Sequence, residues 1–101
     1  MTGIKMKSES FPIHIQRMFD AMGCVYAQYI VMQLDNNPKA TTKEMCDEIG
    51  EPAFAVAIQK LEACGFVSNI YDLSTHESHY ELTSLCYAVI DAIFEVYNGG
   101  Y

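Results

Sequence analysis

Three sets of residues in this chain could do chemistry. His76-x-x-His79, flanked by Asp72 and Glu77, offers the imidazole and carboxylate donors that first-row metals accept. A polar chain reversal preorganises ligands poorly, however, and no thiol lies near it in sequence. Two solvent-facing histidines are therefore expected, and their protonation would make the segment less negative below about pH 6.5. Cys24, Cys46, Cys64 and Cys86 lie far apart, with no C-x-x-C pair. Each sits among apolar neighbours at helical spacing, so free buried thiols are expected rather than zinc ligands. A nucleophilic Cys or Ser needs an oriented His, and no local signature of that kind is present. Gly99-Gly100 is a terminal pair and not a phosphate-cradling loop. No enzyme, metal or cofactor is expected.

The charge pattern says more about partners. The 101 residues carry thirteen acids and six bases, for a net charge of −7. Lys5, Lys7, Arg17, Lys39, Lys43 and Lys60 all precede Leu61, beside seven acids. From Leu61 onward there is no Lys or Arg, only Glu62, Asp72, Glu77, Glu81, Asp91 and Glu95. Such a surface repels phosphate and attracts basic partners. Half of the residues are apolar and mean hydropathy is near zero, which suits one globular domain with a real core. No apolar run reaches the roughly 18 residues of a membrane span. Met1 to Lys7 lacks the apolar stretch of a signal peptide, so a cytoplasmic protein without a membrane partner is expected.

The elements that must position these residues are legible from periodicity. Residues 1–10 are expected to be a flexible polar lead-in, and 11–101 a single domain. Phe11-Pro12 opens a helix with the stripe Ile15, Met18, Phe19 and Met22, which Gly23 breaks or bends. A second helix carries Val25, Tyr29, Met32 and Leu34 as far as Asp35, and Asp35-Asn36-Asn37-Pro38 is a turn. Thr41-Thr42-Lys43-Glu44 fits a capping box that starts a short helix at Thr42, with Met45, Cys46 and Ile49 inward and Gly50 as its stop. Glu51-Pro52 opens the next helix, whose inner stripe is Phe54, Ile58 and Leu61 and whose cap is Gly65. Phe66–Tyr71 and His79–Leu82 are strands about a polar reversal, and Thr83 caps a last helix to about Tyr97. Met18, Met22, Met32 and Met45 are expected to fill the core.

This order gives a mainly α fold with a small β-hairpin, in which a short helix, a glycine turn and a second helix form a helix-turn-helix with the hairpin as its wing. Thr42-Lys43-Glu44-Met45, then Leu61-Glu62 with Cys64-Gly65-Phe66-Val67, then Tyr80-Glu81-Leu82-Thr83 resemble the winged helix-turn-helix superfamily. With its flanking helices, the chain is similar to small MarR-type regulators over about residues 24–97. The resemblance implies a recognition helix over Pro52–Cys64, a wing tip at 71–79 and flanking dimerisation helices. DNA-binding members would place polar and basic side chains on the exposed recognition face. This chain departs from that pattern, with Ala53, Ala55, Val56 and Ala57 near the outer face behind Glu51, and no base in the wing.

Two functional expectations follow. One is a small acidic winged-helix regulator that grips a basic or nucleic-acid-handling protein through Glu51, Ala53, Val56, Ala57, Asp72 and Glu77. The alternative is a homodimeric DNA-binding repressor that contacts duplex DNA through Lys39, Thr41, Thr42, Lys43, Gln59 and Lys60. Duplex affinity comes mostly from about 6–10 phosphate contacts by Lys and Arg, and six bases in all supply it thinly. The last helix leaves only Ser84, Asp91, Glu95 and Asn98 as a polar stripe. A helix so apolar is expected to be buried on more than one face. A homodimer through Ile15, Met18, Phe19, Met22, Val89, Ile90, Ile93, Phe94 and Tyr97 is therefore expected, with the two flanking helices packing on each other within one chain as the alternative. Tyr26, Tyr29, Tyr87 and Tyr97, with polar tips, suit such an interface.

Overall fold

Five helices and one antiparallel hairpin make up the structure, a computed structural model that describes residues 12–99. The expected lead-in over 1–10 and the expected helix opening at Phe11 lie outside the described residues. In chain order the elements are α1 (Ile13–Met22), α2 (Val25–Asn36), α3 (Thr42–Ile49), α4 (Glu51–Ala63), β1 (Val67–Asp72), β2 (Glu77–Leu82) and α5 (Ser84–Tyr97). Among the described residues, no helix is long and apolar enough to cross a membrane.

The break between α1 and α2 follows Gly23 but is made by Cys24. Gly23 is right-handed at φ −83°, ψ −4°, whereas Cys24 turns extended at φ −93°, ψ 117° and becomes the N-cap of α2. The Gln28 side-chain Nε2 donates to the Met22 carbonyl at 2.6 Å, satisfying an acceptor that the end of α1 would otherwise leave open. At the far end of α2 the Asn37 side chain accepts from the Lys39 amide at 3.1 Å, a local turn of the kind Asn favours.

The capping box is present as the sequence predicts. Thr41 Oγ1 accepts from the Glu44 amide at 3.1 Å, and Glu44 Oε1 accepts from the Thr41 amide at 2.8 Å. The Thr41 amide, and after it the Thr41 hydroxyl that donates to the same Oε1 at 3.1 Å, hold the Glu44 carboxyl below the ordinary glutamate range. Gly50 then serves both helices, as C-cap of α3 and N-cap of α4, at φ 92°, ψ 144°. Only glycine is at ease there. Helix α4 ends with the Gly65 amide donating to Glu62 and the Phe66 amide to Leu61, at 3.1 and 2.9 Å. That is the paired bonding of a Schellman motif around a left-handed glycine.

The core gathers Ala27, Ile30 and Leu34 from α2, Met45 from α3, Phe54, Ala57, Ile58 and Leu61 from α4, then Phe66, Val67 and Cys86. Two corrections follow. Helix α2 buries Ala27, Ile30 and Leu34, at i, i+3 and i+7, while Val25 and Met32 are exposed. Met32 is therefore not core filling; Met45 is buried, and Met18 and Met22 are half-buried. The inner stripe of α4 includes Ala57, which sits at i+3 from Phe54 and is fully buried, so it cannot serve an outer face.

The hairpin pairs Val67 with Leu82 through to Asp72 with Glu77. Thr83 binds its base to the rest: its hydroxyl donates to the Gly65 carbonyl, its amide donates to Phe66, and its oxygen accepts from the Cys86 amide to cap α5.

Candidate interaction surface

The outer side of α4 and the projecting hairpin hold most of the residues singled out for docking. Glu51, Ala55, Val56, Gln59, Glu62 and Ala63 are exposed, and Val56 keeps 54% of its area open. Ala53 is only half-buried and stands at the margin; Ala57, as above, is withdrawn into the core. The face therefore offers methyl groups framed by carboxylates at both ends.

Lys60 is the one base of α4, and it is committed. Its ammonium donates to both Asp20 oxygens of α1, at 2.9 and 2.8 Å. The Asp20 hydrogen bond, ahead of all else, holds the Lys60 pKa above the ordinary lysine value. In this structure Lys60 fastens α4 to α1. Thr41, also exposed, uses both its hydroxyl and its amide in the cap of α3. Thr42 is half-buried. Lys43 is exposed and pairs with Asp47 at 3.1 Å, one turn along α3. Such exposed pairs are weak and readily exchanged. Lys39 is exposed too, and among the described residues it makes no ion pair. Of the six residues expected to meet DNA, Lys39, Thr41, Lys43 and Gln59 are exposed, and Thr42 and Lys60 are half-buried.

At the hairpin tip Asp72 stands directly across from Glu77. Asp72 accepts from the Ser74 hydroxyl at 2.6 Å and from the Ser74 amide at 2.9 Å. Those bonds, the hydroxyl's first, hold its carboxyl below the ordinary aspartate range. The two histidines face separate partners. Tyr71 Oη meets His76 Nδ1 at 3.3 Å, and His79 Nε2 meets Glu81 at 2.8 Å. Among the described residues, no group of three or more His, Cys, Asp or Glu is placed to hold a metal ion.

Sequence reasoning missed the apolar part of this tip. Tyr71 and Leu73 are 56% and 78% exposed, beside the two acids. A signal was present, since no strand pairing could bury a leucine placed in a polar four-residue turn.

The thiols divide into two classes. Cys64 and Cys86 are buried, whereas Cys24 and Cys46 are half-buried. Burial pushes the Cys86 pKa up to about 11, and that of Cys64 upward as well. Thiols so placed are poor nucleophiles at neutral pH.

The expected dimerisation residues also divide. Ile15, Met18, Met22, Val89 and Ile90 are half-buried within the chain, while Phe19, Ile93, Phe94 and Tyr97 are exposed. No family model matches this chain, and no curated protein or solved structure is significantly similar to it.

Proposed function

We propose that this protein is a winged-helix regulatory protein that acts by docking on another protein, through the outer face of α4 and the hairpin tip. The order α3, Gly50, α4, β1, β2 supports the winged-helix reading. The observation that carries the docking reading is the chemistry of the exposed α4 face: Val56 and Ala55 between Glu51 and Glu62, with Lys60 held by Asp20. Base-edge readout needs hydrogen-bonding side chains on such a face, and this one presents mainly methyl groups and carboxylates, with Gln59 as its one exposed amide.

The hairpin agrees in sign. Like charges directly opposite on paired strands are unfavourable, and Asp72 across from Glu77 has no Lys or Arg anywhere after Lys60 to offset it. A cationic partner surface would relieve that repulsion while Tyr71 and Leu73 bury against it. The partner class is thus a basic protein, such as one that itself handles nucleic acid.

The test compares two binding measurements on the full chain. Affinity capture from the native host should retain a basic protein that is lost with Val56→Lys plus Glu51→Lys. A gel shift on the upstream region of its own gene should show no selective duplex binding. One feature favours the competing repressor reading: Lys39 and Lys43 stand exposed at the start of α3, where a helix N-terminus attracts phosphate. Salt-sensitive, sequence-selective duplex binding that Lys43→Glu abolishes would establish that reading and sink the docking one.

A further inference from the structure

An open, largely apolar groove of about 470 Å³ runs between α2 and α5, with Ala21 and Met22 of α1 also in its lining. Leu61, Phe66 and Cys86 are its buried part, while Met32, Ile93 and Phe94 are half or more exposed. Its two walls are acidic. Asp35 lines it from α2, and α5 adds Asp91 and Glu95; all three are exposed, and neither helix carries a Lys or Arg.

We propose that residues 1–11 of the same chain fold back over this groove, with Ile4 and Met6 set among its apolar side chains and Lys5 and Lys7 turned to the acids of its rim. Pattern is the first reason. Ile4-Lys5-Met6-Lys7 alternates apolar with basic, and successive side chains of an extended segment point to opposite sides. One side then offers two apolar groups to the groove and the other two ammonium groups to the carboxylates. Lysine stems can lie along apolar surface while their charged ends reach the rim.

Charge is the second reason. Residues 1–11 hold two bases and one acid, against four bases and twelve acids in the rest of the chain. Of those four, Lys43 and Lys60 already pair with Asp47 and Asp20. Reach is the third. The ten residues of α1 span about 15 Å, and its last turn lies at the groove. The eight residues from Ile4 to Pro12 extend up to about 27 Å, enough to return along α1. Because the segment is tethered, its effective concentration at the groove is in the millimolar range, so a modest affinity suffices.

Zero-length carbodiimide crosslinking of the dilute full chain tests this, because it joins an amine to a carboxyl only where the two meet. The expected product keeps the 11.4 kDa of one chain, less one water. Peptide mapping should place the new amide between Lys5 or Lys7 and Asp35, Asp91 or Glu95. Ile4→Ser with Met6→Ser leaves all of these charged groups in place and should cut the yield at least about tenfold, through the lost apolar burial. Far-UV circular dichroism of that variant should show an unchanged helical signal. A link found only at twice the chain mass puts a second copy in the groove and overturns the proposal. So does a link that survives the two serine changes, or lysines that couple equally to Glu77 and Glu81 of the hairpin. Absence of any link overturns it as well, and leaves the groove to another molecule.

Discussion

Two adjacent residues in α4 show how much one step of 100° decides. Val56 is more than half exposed, and Ala57 next to it has no accessible area. Ala57→Leu would force three extra heavy atoms into a filled core and should cost about 1–3 kcal/mol by urea denaturation. Val56→Ala should stay within about 0.5 kcal/mol. Thiol chemistry reads the same burial. At pH 8, iodoacetamide should modify Cys24 and Cys46 in the native protein, with Cys64 and Cys86 reacting only on unfolding. Labelling of all four at one rate would contradict the packing described. Because the folded pKa of Cys86 lies near 11, above its ordinary 9.0, this thiol favours the folded state below pH 9. That contribution fades as pH rises toward 11.

Among the elements, the glycines at helix ends are not equivalent. Gly50→Ala should destabilise by about 1–3 kcal/mol, measured as a drop in urea midpoint. A Cβ at Gly50 would meet nothing closer than Pro52 Cδ at 4.0 Å. The penalty is thus in the backbone, at φ 92°, and would uncouple α3 from α4. Gly23 has an ordinary right-handed φ, and a Cβ there would only touch the Phe19 carbonyl at 3.4 Å. Gly23→Ala should therefore be neutral or stabilise by about 0.4–1 kcal/mol, by restricting the unfolded chain. The capping box adds a pH dependence. The Glu44 carboxyl is depressed by its bonds to Thr41, so its contribution is present above the ordinary glutamate range and is lost as pH falls through the folded value. In acid titrations monitored by circular dichroism, Glu44→Gln should be less stable than wild type at pH 7, with the difference shrinking below about pH 4. A difference that persists unchanged into acid would separate Glu44 from the cap.

At the scale of the whole molecule, the amides of 91–97 in α5 report whether the groove is covered. With every side chain there open to solvent, Ile4→Ser with Met6→Ser should exchange these amides far faster than those of α4, which holds four core residues. Wild-type protection that is independent of protein concentration would follow from cover by the chain's own first residues, and protection that rises with concentration would argue against it. Thirteen acids over six bases, with Lys60 and Lys43 already paired, predict that the proposed docking on a basic protein weakens as salt rises.

The amino-acid sequence by itself determined what local chemistry determines. The Thr41–Glu44 cap, the glycine stops, Thr83 at the head of α5 and the hairpin all form from residues close together in the chain, and all were legible there. The acidity after Leu61 was equally so, because composition needs no fold. Tertiary structure alone decided which polar groups are spent on the protein itself. Asp20 and Lys60 are forty residues apart, and no periodicity announces that one neutralises the other. Nor could spacing say that Ala57 faces the core while Met32 faces solvent, since apolar side chains follow whichever neighbours arrive. The open groove beside α5 is of the same kind. It lies between α2 and α5, and it depends on how segments about fifty residues apart in the chain are placed together.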